Sequence, residues 1–368
     1  MAGFPFMRQA ETFLSSLPFI LLLAVFILPC PMSAAAKPRP AIAFVHLLLP
    51  SGGEPHASPA GWIGSLDRAR DTLESLRIPT IVSSASPGNA EDLNELSEMD
   101  PEVLITTSPL LYAAACDVAK RSPNTVFFAC TDETVHDNMS GFQARTYEAH
   151  YLAGLIAGAL SEDGVIGYLA NDPYQSKASR LRNANAFTLG AQKSKAAIRV
   201  LYAPGNDPDE ELKTLIAAGA DIVDLERALP SLVERLREHS VRYVGTAGRT
   251  VDPLCLAAPE WEWSNAFGDL LTQVRFGIWR PRNVSYGIKE GVVGLSPFGP
   301  AVPETVRVRV REAKEAIRNG ASPFEGPVRD VSGSLRIAEG SVPDDATLRG
   351  MDWRVQGLEP LPLTPDGL

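Results

Sequence analysis

The chain has 368 residues, 45% hydrophobic and 21% charged, with 34 Lys plus Arg against 44 Asp plus Glu and a formal charge of −10. That length is near the practical limit of one hydrophobic core, so two lobes are expected. The acidic balance, spread without blocks of like charge, argues against a nucleic-acid footprint or attraction to anionic lipid and favours a freely diffusing protein.

Arg8 precedes an apolar run from Leu17 to Leu28; Pro29, Pro31 and Ser33 break it, and Ala34-Ala35-Ala36 follows. The run is too short to cross a bilayer comfortably, and small residues suit a signal peptidase pocket. Residues 1–36 are therefore read as a signal peptide cleaved near Ala36, with an uncleaved anchor as the competing reading. Cys30 invites a lipid anchor, but Pro29 stands where a small residue is wanted, so that reading is rejected. Nothing after residue 37 resembles a membrane span. The remaining cysteines are Cys116, Cys130 and Cys255. A Cys116–Cys130 disulfide and buried free thiols both remain open.

From residue 41 short apolar runs alternate with amphipathic ones. Residues 41–45, 78–82, 103–106 and 125–129 read as strands, and 64–76 as a helix with Leu66, Ala69, Leu73 and Leu76 on one face. A second series opens with a helix over 147–160, where Ala149, Ala153, Gly154, Ala157 and Gly158 line one side. Small residues at that spacing let a helix lie close to a neighbour. Strands follow at 165–169, 198–202, 221–223 and 243–245, with helices at 177–193, 209–218 and 230–238 between them. Strands apolar throughout, separated by helices, predict parallel sheets covered on both faces. After Pro259 the alternation weakens: a helix with an aromatic side is expected over 261–279 and a charged amphipathic one over 304–319, with a surface segment beyond 340. Two series predict two Rossmann-like α/β lobes with a cleft between them.

In open α/β sheets ligands bind beyond the carboxyl ends of strands. Residues just past the expected strands are Ser108, Thr131, Asp132, Asn171, Asp172, Glu226, Gly248 and Arg249, a set offering hydroxyl, amide, carboxylate and guanidinium groups. That suits capture of a polar ligand, although each alone reads equally as a helix cap or solvated loop residue. Trp62 lies in a long Pro- and Gly-rich loop over 46–63 and reads either as a stacking ring or as a loop anchor. No Gly-x-Ser-x-Gly elbow, Walker loop or dinucleotide fingerprint follows a strand, so no enzyme and no cofactor is expected. The five histidines show no zinc-ligand spacing; folding could bring His46, His56 and His136 together, but ordinary hydrogen-bonding histidines are the expectation.

The segment from Asn138 to Gly154 carries a specific pattern, with Phe142-Gln143-Ala144-Arg145, Tyr147-Glu148 and Tyr151-Leu152-Ala153-Gly154. Further matches are Asn185-Ala186-Phe187-Thr188-Leu189-Gly190-Ala191, Gly219-Ala220-Asp221, Trp261-Glu262-Trp263, Tyr286-Gly287-Ile288-Lys289-Glu290-Gly291, Phe324-Glu325-Gly326-Pro327 and Met351-Asp352-Trp353-Arg354-Val355. In these the chain resembles, over nearly all of residues 40–360, the basic membrane protein (Bmp/Med-like) family of ABC-transporter substrate-binding proteins.

The resemblance implies a type I periplasmic-binding-protein architecture: two lobes joined by three crossovers, lobe 1 from 37–140 and 251–282, lobe 2 from 141–250 and 283–345, and a surface tail at 346–368. It implies a periplasmic protein, a purine nucleoside or nucleobase as ligand, hinge closure around it, and an inner-membrane permease as partner. It adds Asp67 to the candidate ligand residues. This chain departs from the family's pattern where Leu66 replaces a His, where Gly205-Asn206-Asp207-Pro208 replaces a Trp-x-Asp-Pro string, where Arg227-Ala228 stands for Thr-Asp, and near Gly248-Arg249. An exported sensor or accessory protein with a non-purine ligand is the alternative reading.

Overall fold

The computed structural model describes residues 40–48, 61–131, 133, 136–173, 175–245 and 252–362. The expected signal peptide, Cys30 and His56 lie outside them. The first series is β1 (Ile42–Leu47), α1 (Gly61–Ser75), β2 (Thr80–Ala85), α2 (Glu91–Ser97), β3 (Val103–Thr106), α3 (Tyr112–Ala119), β4 (Val126–Cys130) and β5 (Met139–Ala144). The second is α4 (Thr146–Leu160), β6 (Val165–Leu169), α5 (Lys177–Ser194), β7 (Arg199–Ala203), α6 (Pro208–Ala217), β8 (Ile222–Leu225), α7 (Pro230–Glu238), β9 (Arg242–Gly245) and β10 (Cys255–Ala257). The remainder is β11 (Pro259–Trp261), α8 (Ser264–Arg275), β12 (Asn283–Tyr286), β13 (Val293–Leu295), α9 (Glu304–Arg318), β14 (Val328–Arg329), β15 (Leu335–Ile337), α10 (Asp345–Arg349) and β16 (Leu358–Pro360).

Two six-stranded sheets result, in the orders β12-β5-β4-β3-β1-β2 and β10-β9-β8-β6-β7-β16. Every pairing in them is parallel. The central strands are buried on both faces, which is why they read as unbroken apolar runs: all six residues of β1 are buried, as are all four of β3 and of β8. This is the two-sheet α/β architecture that the alternation predicts. In each sheet the strand order reverses beside the first strand of its series, between β1 and β3 and between β6 and β8. Loops leaving such a point diverge and open a crevice beyond the carboxyl ends.

Helix α4 carries the small-residue side, and it packs against α5 backbone to backbone. A Cβ on Gly154 would lie 2.1 Å from the Phe187 carbonyl oxygen, one on Gly158 2.2 Å from that of Ala191, and one on Gly190 2.1 Å from that of Tyr151. Only hydrogen fits there, so sequence spacing, close packing and the position of α5 are one fact. Ser176 caps α5, its Oγ accepting from the Ser179 N–H at 3.1 Å.

The chain passes between the sheets three times: from β5 to β6, from β10 to β12, and from β12 to β16. The strand assignments differ from the sequence reading at its edges. β5, which continues to Ala144, and β12, at 283–286, both lie in the first sheet, where breaks at 140/141 and 282/283 were expected. The segment expected as a surface tail supplies β16 to the second sheet, with Leu358 fully buried. Each of these strands is short or mixed in polarity, so no apolar run announces it. Cys116 and Cys130 are both buried, and no disulfide joins them. Among the described residues no helix is long and apolar enough to cross a membrane.

Candidate ligand-binding cleft

Beyond the strand ends the two sheets face a solvent-open cavity of about 50 Å³. The first series contributes Trp62 from the start of α1, Pro109, Cys130 at the end of β4, and Gln143 and Ala144 at the end of β5; Thr146, at the start of α4, opens the contribution of the second. The second contributes Gln175, Ser176, Ser179, Arg182 and Asn183, from the loop after β6 and the first half of α5. Side chains from both series thus meet around one open space.

Trp62 is held as a loop anchor and also lines the cavity. Its indole N–H donates to the Thr107 carbonyl at 2.8 Å, and its ring meets Trp263 edge-on at 5.2 Å, Trp261 edge-on at 5.8 Å and Phe142 in a stack at 6.4 Å. It is anchored in its own lobe, 9% exposed, and still lines the cavity. The anchor is itself braced. Thr107 Oγ1 donates to the Val45 carbonyl at 3.2 Å and lies 3.2 Å from His46 Nδ1, while His46 Nε2 lies 3.4 Å from Asp67 Oδ1. Asp67, expected in the site, serves this brace and also pairs with Arg70 at 3.9 Å.

The other expected residues are strand-end locks. Ser108 is buried and accepts from the Leu110 N–H at 3.3 Å, capping the 3-10 turn Pro109–Leu111. Thr131 Oγ1 accepts from the Glu133 N–H at 3.1 Å. Asn171 ties the loop after β6 to the one after β8, donating to the Arg227 carbonyl at 2.8 Å and accepting from the Arg227 N–H at 2.9 Å. Asp172 accepts from Gln175 Nε2 at 3.1 Å, and Glu226 accepts from the Tyr168 hydroxyl at 2.8 Å. None of these lines the cavity. Asp132, Gly248 and Arg249 lie outside the described residues. Of the residues that do line it, the sequence reading placed only Trp62 in the site. Gln143 to Thr146 sit inside the family pattern and Arg182-Asn183 just before Asn185-Ala186-Phe187, which was the available signal.

Two networks of charged groups are buried in the structure. Below the second sheet's strand ends, His150 Nδ1 lies 3.2 Å from Asp224 Oδ2, both fully buried. Burial pushes the His150 imidazolium down, but Asp224, Glu226 and Asp172 outweigh it and leave its pKa raised. Burial lifts the Glu226 carboxyl to about 7, opposed by His150 and by the Tyr168 hydroxyl and assisted by Asp172 and Asp224. At the crossing from β5 to α4, Arg145 donates to Glu148 at 2.8 Å and to the Ser285 carbonyl at 2.9 Å, and pairs with Glu290. Glu148 in turn accepts from the Ile288 N–H at 2.6 Å. A Cβ on Gly287 would fall 2.5 Å from Glu148 Oε2 and 2.6 Å from Arg145 Nε, so Gly287 is needed where these crossings touch. Among the described residues no group of His, Cys, Asp and Glu could hold a metal, and no nucleophile–base pair lines the cavity. The arrangement can enclose and orient a small molecule.

Comparison with known proteins agrees. Residues 66–217 match the model of the Bmp family, described as PnrA-like ABC transporter substrate-binding proteins. A purine-binding protein of Brucella abortus is 28% identical over 316 residues, covering 81% of this chain and 89% of that protein. An ABC transporter glucose-binding protein of Haloferax volcanii is 28% identical over 307 residues, covering 77% and 78%. Among solved structures, an ABC transporter solute-binding protein from Conexibacter woesei superposes with a TM-score of 0.60 at 18% identity, covering 76% of this chain and 97% of that one. That last likeness concerns the fold.

Proposed function

We propose that this chain, whose residues 66–217 match the Bmp family of ABC-transporter substrate-binding proteins, is a member of that family and captures a small polar heterocycle, a purine nucleoside or nucleobase, in the cleft between its two sheets. Family members bind small molecules and work with a permease; they are binding proteins and not enzymes. Export to the periplasm, delivery to an inner-membrane permease and closure of the two lobes on the ligand follow from that role. The observation that carries the reading is the cavity itself, lined by Trp62, Cys130 and Gln143 from one series and by Thr146, Gln175, Ser179, Arg182 and Asn183 from the other. A ligand touching both sides binds the closed form better than the open one, which is the condition for hinge closure.

The purine assignment draws support from the Brucella relative and from the flat indole of Trp62 at the cavity wall. The Haloferax relative makes a sugar the class to test beside it. A thermal-shift screen of the chain lacking residues 1–36 against purines, pyrimidines, nucleosides, sugars and amino acids decides between them, since a ligand bound only by the folded state raises Tm. A shift with purines and none with sugars is expected; a shift with sugars alone contradicts the assignment while leaving a binding role.

A further inference from the structure

The α5 wall of the cavity is tied to a carboxylate that does not itself line it. Asp172 lies in the loop after β6, 5% exposed, beside Asn171, whose two bonds to the Arg227 backbone hold that loop in place. Gln175 Nε2 donates to Asp172 Oδ2 at 3.1 Å, and Gln175 Oε1 accepts from Asn183 Nδ2 at 3.0 Å. Gln175 and Asn183 both line the cavity.

An amide carries an acceptor and a donor on one carbon, so on its own it can turn either to a neighbour. This pair has no such choice. A carboxylate oxygen accepts, so Gln175 presents its nitrogen to Asp172 and its oxygen to Asn183, and Asn183 answers with its own nitrogen. The Asn183 carbonyl oxygen is left on the other branch of its amide, with its orientation set two hydrogen bonds away. Reversing that amide would put oxygen against oxygen at a side chain only 2% exposed, at the cost of a buried unmade bond.

We propose that Asn183 Oδ1 reads the ligand as a hydrogen-bond acceptor, and that Asp172 is the positioning residue that fixes it through Gln175. The cleft then favours heterocycles presenting an amino or ring N–H group to Asn183. This names the ligand chemistry within the heterocycle reading and rests on it. A buried acceptor met by a ligand N–H keeps a bond in exchange for water, whereas one met by a methyl group loses water and gains nothing. A strand-end carboxylate thereby acts on the site without touching the ligand.

Calorimetric titration of the chain lacking residues 1–36 tests this with pairs that differ by one donor: adenine against 6-methylpurine, adenosine against its 6-methylpurine counterpart, hypoxanthine against 1-methylhypoxanthine, and inosine against 1-methylinosine. In at least one pair the donor-bearing member is expected to bind roughly ten- to a hundredfold more tightly. Asn183→Leu, close in size, is expected to erase that ratio. Asp172→Leu should lower it, and Asp172→Asn, whose amide oxygen can still take the Gln175 N–H, should keep most of it; a purely structural Asp172 would move Tm and leave the ratio alone. Equal affinity within every pair that binds overturns the proposal with the heterocycle reading intact, and that result needs no variant to fold. A ratio that survives Asn183→Leu overturns the assignment to Asn183, and one indifferent to Asp172→Leu overturns the relay. Binding of no heterocycle overturns the reading and the proposal together.

Discussion

Glu226→Gln separates charge from hydrogen bonding in the buried cluster below the second sheet. Glu226 is 6% exposed, and its carboxyl is lifted from the ordinary 4.5 to about 7, first by burial. Between those pH values the folded chain keeps a proton that the unfolded chain has released, so stability falls as pH rises through this window and stays lower above it. At about 1.36 kcal/mol per pH unit, the loss is roughly 3 kcal/mol by pH 8. Glutamine keeps an oxygen for the Tyr168 hydroxyl and never ionises. Urea melts at pH 4.5 and pH 8 are the assay: the variant should match wild type at the lower pH and exceed it by roughly 3 kcal/mol at the higher. Loss of stability at pH 8 in the variant would refute the reasoning, because it would mean that the ionised carboxylate contributes favourably beside His150.

Gly158→Ala places a Cβ 2.2 Å from the Ala191 carbonyl oxygen; α4 and α5 must separate, and a loss of about 1–3 kcal/mol in denaturant melts is expected. Arg145→Met leaves Glu148, 8% exposed at its side chain, buried without its guanidinium; about 3–5 kcal/mol should be lost, read as a lower urea midpoint. Asn171→Ala removes both bonds to the Arg227 backbone and should cost about 1–3 kcal/mol, with melts as the check.

Much of the fold was legible because parallel strands buried on both faces cannot hide: β1, β3, β6 and β8 are apolar runs and were placed within a few residues. The Gly154/Gly158 spacing announced a close helix contact, and the α4–α5 backbone approach is its physical content. What escaped notice was polar or short. β5, Met-Ser-Gly-Phe-Gln-Ala, breaks the apolar pattern, and β12 is a half-exposed edge strand that pairs only with it. The segment after 346 looked like surface because its few buried side chains, Leu348, Met351, Val355 and Leu358, are interspersed with Pro, Gly and charge.

The site was less legible for a related reason. Strand-end polar residues were the natural candidates, yet Asn171, Ser108 and Glu226 spend their polar atoms holding the loops and strands that form the walls. The cavity is lined instead by the end of an unexpected strand and by the interior of α5, where nothing in the periodicity marks Arg182 or Asn183 as lining it. The family motifs are largely structural as well. Arg145, Glu148, Gly287 and Glu290 knit the crossings together, and Asn185 accepts from the Val355 N–H at 3.0 Å and donates to the Trp353 carbonyl at 2.8 Å. Such a pattern specifies a frame more firmly than a ligand.

The central claim is that a small molecule sits between the two sheets, against α5. Ser179 lines that wall, is half-buried and faces the cavity from the helix surface. Calorimetric titration of Ser179→Trp with whichever compound most raises the wild-type Tm is the direct test. An indole filling the cleft should abolish binding while the melt stays close to wild type. Undiminished affinity in that variant would place the ligand elsewhere and contradict the account.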